Sequence, residues 1–172
     1  MNRILDRGVE FEQVDREGNC DDQIIFHGLL LFGVYWLVYP RLETLPWWKT
    51  SGICLSVLLH AGPVEFIYYW IHRAFHHHYL YTRYHSHHHA SVVTQPITAV
   101  SHAFLEGFVY FNVFSIPIMA TLLTNTASLT SIFMYTGYVD FMNILGHRNF
   151  ELIPNYVYSA LPPLKFLVFT PS

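Results

Sequence analysis

Four long apolar stretches, each with at most one charged residue, constrain this chain more than any other feature of its sequence. They cover residues 24–39, 53–71, 104–123 and 127–145. Charged residues make up 12% of the chain, about half of the roughly 25% that soluble domains carry. The polar surface needed to cover four buried core helices is therefore missing. Because a helix needs about 20 apolar residues to cross a bilayer, the pattern predicts an all-α, integral membrane helical bundle with about four membrane-embedded helices.

Basic residues divide unevenly between the two ends of these predicted helices. Two hairpins return the chain to one side, which holds seven Lys and Arg residues, whereas Arg41 and Lys49 lie on the other. The positive-inside rule then places the N-terminus and the histidine-rich segment in the cytosol. We expect residues 1–23, where seven acids outnumber three bases, to form an acidic cytosolic leading segment. Residues 24–170 are expected to form the membrane domain.

Eight of the twelve histidines lie between residues 72 and 89. Two sets have spacings that place them on one face of a helix: His72 with His76, and His85 with His88 and His89. Imidazoles clustered on one wall are typical ligands of iron, zinc or copper. A polyhistidine stretch that binds metal loosely is the simpler interpretation. It would not, however, place two same-face sets at the cytosolic end of a transmembrane helix, so we predict a metal site there.

Further polar residues continue these faces into the apolar stretches. One stripe joins Glu65 to the first histidine pair, and a second joins Asp140, Asn143, His147 and Glu151. Another pair at helical spacing is formed by His102 and Glu106. Such groups suit the hydrogen bonds that orient metal-binding imidazoles, which gives six predicted supporting residues: Glu65, His102, Glu106, Asp140, Asn143 and Glu151. For Asp140 and Asn143, a hydrogen bond between helices is an equally good interpretation.

The motifs HRAFH at 72–76 and HSHHH at 85–89 resemble the histidine boxes of the membrane fatty acid hydroxylase and sterol desaturase superfamily. The stretches VEFEQVDRE, GPVEFIYYWIHRAFHHHYLYTRYHSHHHAS and GHRNFELIPN look like the plant aldehyde decarbonylases of the eceriferum type. The resemblance implies two irons and six metal ligands in this chain: His72, His76, His85, His88, His89 and His147. The family's third HxxHH box would follow Ser172, so the membrane domain is expected to be incomplete.

The resemblance also implies an activity and its setting. A membrane diiron oxidoreductase of this type converts very-long-chain aldehydes to alkanes, with dioxygen, in cuticular wax synthesis. It would be a multi-pass protein of the endoplasmic reticulum membrane with cytosolic histidine boxes. An aldehyde-forming reductase-like protein and a b-type cytochrome electron donor are the implied partners. Without the third box, we expect this chain alone to bind iron weakly and to make no alkane.

Residue spacing alone leaves other functions open. A fatty acyl or sterol hydroxylase or desaturase of the same superfamily would carry the same histidines. A histidine-rich metal transporter would need ligands at the bilayer midplane, where His60 beside Gly62 and Pro63 is the one suggestive feature. A non-catalytic, truncated form that pairs with a complete partner is a further alternative. The net charge of −3 provides no basic surface for nucleic acid.

Overall fold

The computed structural model describes residues 8, 10–13, 21–100, 102–148 and 155–160. Across these residues the chain is helical and contains no strand, which confirms the predicted all-α class. In the described residues from 21 onward, the α-helices are α1 Asp21–Leu42, α2 Thr50–Leu59, α3 Glu65–Phe75, α4 His78–Leu80, α5 Phe104–Leu123, α6 Leu129–Gly146 and α7 Asn155–Ala160. Most of the predicted leading segment, and Glu151, lie outside the described residues.

A π-helical turn at His60–Val64 joins α2 to α3 without interrupting the rod. Pro63 lies in this turn, and because proline has no N–H it cannot donate the usual helical hydrogen bond. The wider turn accommodates the proline, so that Thr50–Phe75 forms one helix of 26 residues. At about 1.5 Å per residue, this rod is longer than a bilayer's hydrocarbon core of about 30 Å.

Two helices in the described part of the chain are long and apolar enough to cross a membrane, Thr50–Phe75 and Phe104–Leu123. Large apolar side chains such as Phe66, Leu58 and Phe104 are exposed on them. Outward-facing apolar side chains are expected where lipid replaces water as the surrounding solvent. The structure therefore supports a membrane protein, whereas the predicted number of about four embedded helices remains a prediction.

The helix ends away from the histidines are joined by specific contacts. The backbone amides of Leu129 and Thr130, at the start of α6, donate to the carbonyls of Pro46 and Trp47. Gly52 in α2 lies so close to the α5–α6 connection that an added Cβ would stand 2.2 Å from the Thr126 carbonyl oxygen. These contacts fix α2 beside α5 and α6, and hence set the relative height of the histidines at the opposite ends.

Candidate metal centre

The first two predicted ligands lie at the end of α3. His72 and His76 are one helical turn apart, and their Nε2 atoms lie 3.2 Å from each other. The chain then leaves the helix at His77, which has an extended conformation. After the short α4, a π-helical turn over Tyr81–His85 and a 3₁₀ turn over His88–Ala90 bring the second histidine set back against α3.

Four imidazoles converge on one small volume, and we call them the four-histidine group: His72, His76, His85 and His89. Their ligand nitrogens all lie within 4.8 Å of one another. The His85 Nε2 atom lies 3.2 Å from that of His76 and 2.9 Å from that of His89. Within the group, His85 is buried, His72 is half-buried, and the other two are exposed. The group is therefore open to its surroundings on one side.

These separations fit one shared metal ion. For a metal–nitrogen bond of about 2.1 Å, neighbouring nitrogens lie about 3.4 Å apart in a tetrahedron; in an octahedron they lie about 3.0 Å apart, and opposite ones about 4.2 Å. The contacts of 2.9–3.2 Å fall close to these values, so the four nitrogens could hold one ion together.

Hydrogen bonds on the far side of two rings fix which nitrogen faces the centre. His85 Nδ1 lies 2.6 Å from Glu106 Oε1, and both side chains are fully buried. Because a carboxylate only accepts, Nδ1 carries the proton and Nε2 keeps its lone pair. His72 Nδ1 contacts the Tyr110 hydroxyl at 3.0 Å, which leaves its Nε2 directed at His76. Lone pairs that face one another in this way favour a shared cation.

The other two predicted ligands form a separate contact, which we call the histidine pair. His88 and His147 approach through their Nε2 atoms at 3.1 Å. His147 Nδ1 donates to the Asn143 carbonyl at 2.9 Å, so its Nε2 also presents a lone pair. The amide of Asn143 donates to the Ala99 carbonyl at 3.2 Å, which holds the end of α6 against the 3₁₀ turn at Pro96–Val100. The structure thus divides the six predicted ligands into four and two.

Burial keeps several of these imidazoles in the form that binds metal. It lowers the pKa of His85 below the ordinary value of 6.5, although the Glu106 carboxylate acts in the opposite direction. The His89 side chain is exposed overall, but partial desolvation of its ring and the neighbouring histidines lower its pKa. Burial lowers the pKa of His147 despite the bond to the Asn143 carbonyl. Neutral imidazole is the metal ligand, so these three rings are prepared for metal at neutral pH.

The predicted supporting residues separate into those near the histidines and those away from them. Glu106 and Asn143 contact members of the two groups, and His102 stacks on His88 with ring centroids 4.3 Å apart. Glu65 instead contacts His60 Nε2 at 3.2 Å. Asp140 is exposed on α6 and, within the described residues, contacts none of the histidines.

Two contacts escaped the sequence analysis. The structure places His60 Nδ1 3.2 Å from the Tyr135 hydroxyl, and its other nitrogen faces Glu65, so both ring nitrogens have partners. The Tyr110 contact with His72 was also missed. A signal for it existed, because Glu106 and Tyr110 are spaced four residues apart on α5 and share one helix face.

Known proteins resemble this chain over nearly its whole length. The sequence profile described as Fatty acid hydroxylase matches residues 57–171. The chain is 57% identical to the very-long-chain aldehyde decarbonylase CER1 of Arabidopsis thaliana over 171 residues, which are 99% of this chain and 27% of that protein. It is 58% identical to the very-long-chain aldehyde decarbonylase GL1-5 of Oryza sativa subsp. indica over 170 residues, again 99% and 27%.

A third relative is the very-long-chain aldehyde decarbonylase GL1-4 of Oryza sativa subsp. indica, 54% identical over 99% of this chain and 28% of its own length. The chain thus spans about a quarter of the length of the curated relatives it matches. No solved structure matches it.

Proposed function

Because this chain belongs to the fatty acid hydroxylase family, we propose that it forms the metal-binding membrane part of a very-long-chain aldehyde decarbonylase. The substrate would be a very-long-chain aldehyde and the product an alkane, in cuticular wax synthesis. The observation that carries the proposal is the convergence of four imidazole nitrogens within 4.8 Å at the end of an apolar 26-residue helix. The names of the relatives favour decarbonylation over the hydroxylase and desaturase alternatives.

We propose iron as the metal, with one ion in the four-histidine group and a second at the histidine pair. Imidazole is a suitable ligand for iron, and the four-histidine group is open on one side, where dioxygen could reach a bound ion. Two imidazoles hold an ion more weakly than four, so we expect the first ion to bind more tightly than the second. Iron bound there would supply the activation of dioxygen.

The residues of the chain orient the metal-binding rings and place them at the end of a long apolar helix. Glu106 and Tyr110 hold the rings of His85 and His72 with Nε2 inward. Asn143 would hold the end of α6, and with it His147, next to His88. Because the four-histidine group lies where Thr50–Phe75 ends, an aldehyde could place its polar carbon at the metal while its hydrocarbon chain stays in lipid.

The finer topology belongs to the same proposal. We propose that α1, with 22 residues, and α6, with 18, also lie in the membrane, which gives four embedded helices. Both hairpins then place the histidines on the side rich in Lys and Arg, which is the cytosolic side of an endoplasmic reticulum membrane. The reductase-like partner and the b-type cytochrome would meet the protein there.

A chimera tests the function. Residues 1–172 would replace the aligned segment of the Arabidopsis decarbonylase, and alkanes would be measured in cells that also make very-long-chain aldehydes. We expect alkane from the chimera, none from its His85→Ala form, and retained alkane from its His78→Ala form, since His78 is exposed and outside both groups. A chimera that folds and binds iron but makes no alkane would refute the proposed activity.

A further inference from the structure

One buried carboxylate lies between the two histidine groups. Glu106 has no exposed surface and sits in the first turn of α5. Its Oε1 atom accepts the proton of His85 Nδ1 at 2.6 Å. This bond orients the most buried ring of the four-histidine group, so any movement of the carboxylate would also move that ring.

The same oxygen atom also faces the second group. His102 Nδ1 lies 3.3 Å from Glu106 Oε1, and the His102 ring stacks on His88 with centroids 4.3 Å apart and planes 21° apart. The position of the His88 ring therefore depends on His102, and the position of His102 depends on Glu106. Through this stack the carboxylate reaches the histidine pair, although it touches neither of its members directly.

The second oxygen of Glu106 is a hydrogen-bond acceptor that has no partner among the described residues. Oε2 is buried and has no hydrogen-bond partner within the described residues. Tyr110 lies one helical turn further along α5 and is an electrostatic neighbour of this carboxylate. When His72 Nδ1–H donates to the Tyr110 oxygen, the phenol keeps its own proton to donate. The Glu106 carboxylate is the neighbour that could accept that proton, and we infer that Oε2 does so because a buried carboxylate oxygen is costly to leave unpaired.

We propose that Glu106 is a positioning residue shared by both metal centres and that it couples metal binding at one to metal binding at the other. This inference rests on the proposed function, because it needs metal at both groups. A metal ion in the four-histidine group fixes His85 and His72, and through them both oxygens of Glu106. The fixed carboxylate then holds His102, and with it His88, so the second ion binds to a ring that is already oriented.

Titration of the purified chain in detergent with Co²⁺ tests this, because visible absorption of Co²⁺ reports imidazole coordination and metal analysis gives the stoichiometry. The His88→Ala background isolates the four-histidine group, and a triple His72→Ala, His76→Ala and His89→Ala background leaves the histidine pair while keeping the His85–Glu106 contact. We expect Glu106→Gln to lower the Co²⁺ affinity of both groups by about 10–100-fold. Tyr110→Phe should lower only that of the four-histidine group.

Coupling between the two groups is measured by comparing the Co²⁺ affinity of the four-histidine group in chains with and without an intact histidine pair. With Glu106 present, the four-histidine group should bind Co²⁺ at least about 5-fold more tightly when the histidine pair is intact, and Glu106→Gln should remove that difference. Glu65→Gln is the matched control, because Glu65 is a carboxylate on the long helix Thr50–Phe75 and contacts His60. It should leave both affinities unchanged. Loose Co²⁺ binding by exposed histidines is the same in all variants, so it does not affect the comparison of their affinities.

The outcomes separate this inference from the proposed function. An unaffected histidine pair in Glu106→Gln, or coupling that persists without the carboxylate, would overturn the inference and leave the proposed function standing. Failure of the unmodified chain to bind Co²⁺ at either group would overturn both. If circular dichroism shows that Glu106→Gln does not fold, Glu106→Asp keeps the charge but shortens the reach. We then expect a smaller loss at both groups, and a loss at only one would refute the shared role.

Discussion

Replacement of His85 by alanine has two consequences that can be separated. The imidazole is one of four metal-facing rings, and it is also the closest partner of a fully buried carboxylate, at 2.6 Å. Removal of the hydrogen-bond partner of a buried group costs about 1–3 kcal/mol, and Glu106 would keep only the longer 3.3 Å contact to His102. We therefore expect His85→Ala to lower the free energy of unfolding of the metal-free protein by up to about that amount. Loss of a ligand together with its hydrogen-bonded support should weaken Co²⁺ binding by at least about 100-fold.

A double variant distinguishes the two effects. His85→Leu with Glu106→Leu removes both partners, and replacement of a buried pair by apolar side chains is often neutral for stability. Thermal unfolding in detergent should therefore recover toward that of the unmodified chain, while Co²⁺ binding stays lost. His87→Ala, an exposed neighbour in the same segment, should change neither quantity. The reasoning is refuted if His85→Ala binds Co²⁺ as tightly as the unmodified chain.

Three further expectations follow from other contacts. Since desolvation lowers the pKa of His85, His89 and His147, the folded state favours neutral rings. The contribution of these neutral rings to the stability of the folded state is present above the ordinary pKa of about 6.5 and is lost as pH falls below it. Co²⁺ binding should therefore persist to below pH 6.5 in a pH titration, and a midpoint above that value would contradict this desolvation. Tyr135→Phe removes a 3.2 Å bond to His60 and should lower the unfolding free energy by about 0.5–1.5 kcal/mol without weakening Co²⁺ binding. Gly52→Ala places a Cβ 2.2 Å from a backbone oxygen and should cost about 1–3 kcal/mol in the same unfolding assay, whereas Gly62→Ala, with open space at its Cβ, should not clash.

The features that follow from local periodicity could be predicted from the sequence. The all-helical class depends on long apolar runs, and the shared face of His72 and His76 depends only on helical spacing. The resemblance to the family, which rested on motifs around these histidines, is confirmed by the relatives. How many helices lie in the membrane depends on the surrounding lipid and remains a prediction.

Contacts between distant segments could not be predicted in the same way. A 3₁₀ turn covers His88–Ala90, and within it His88 contacts His147 while His89 contacts His85. Helical spacing alone therefore assigned His88 and His89 to one face, whereas the structure gives them to different groups. Glu65 shares a stripe with His72, but the π-helical turn before it brings His60 within 3.2 Å. Tyr110 acquires its importance only when α5 packs beside α3.

The central claim is that four imidazoles of this chain bind one metal ion together. X-ray absorption at the iron edge, on the purified chain loaded anaerobically with one equivalent of Fe²⁺, tests it most directly. We predict imidazole scattering from four nitrogen ligands at about 2.1 Å, falling to three in His76→Ala and staying at four in His78→Ala. Iron surrounded mainly by oxygen, or an imidazole number unchanged by His76→Ala, would contradict the claim.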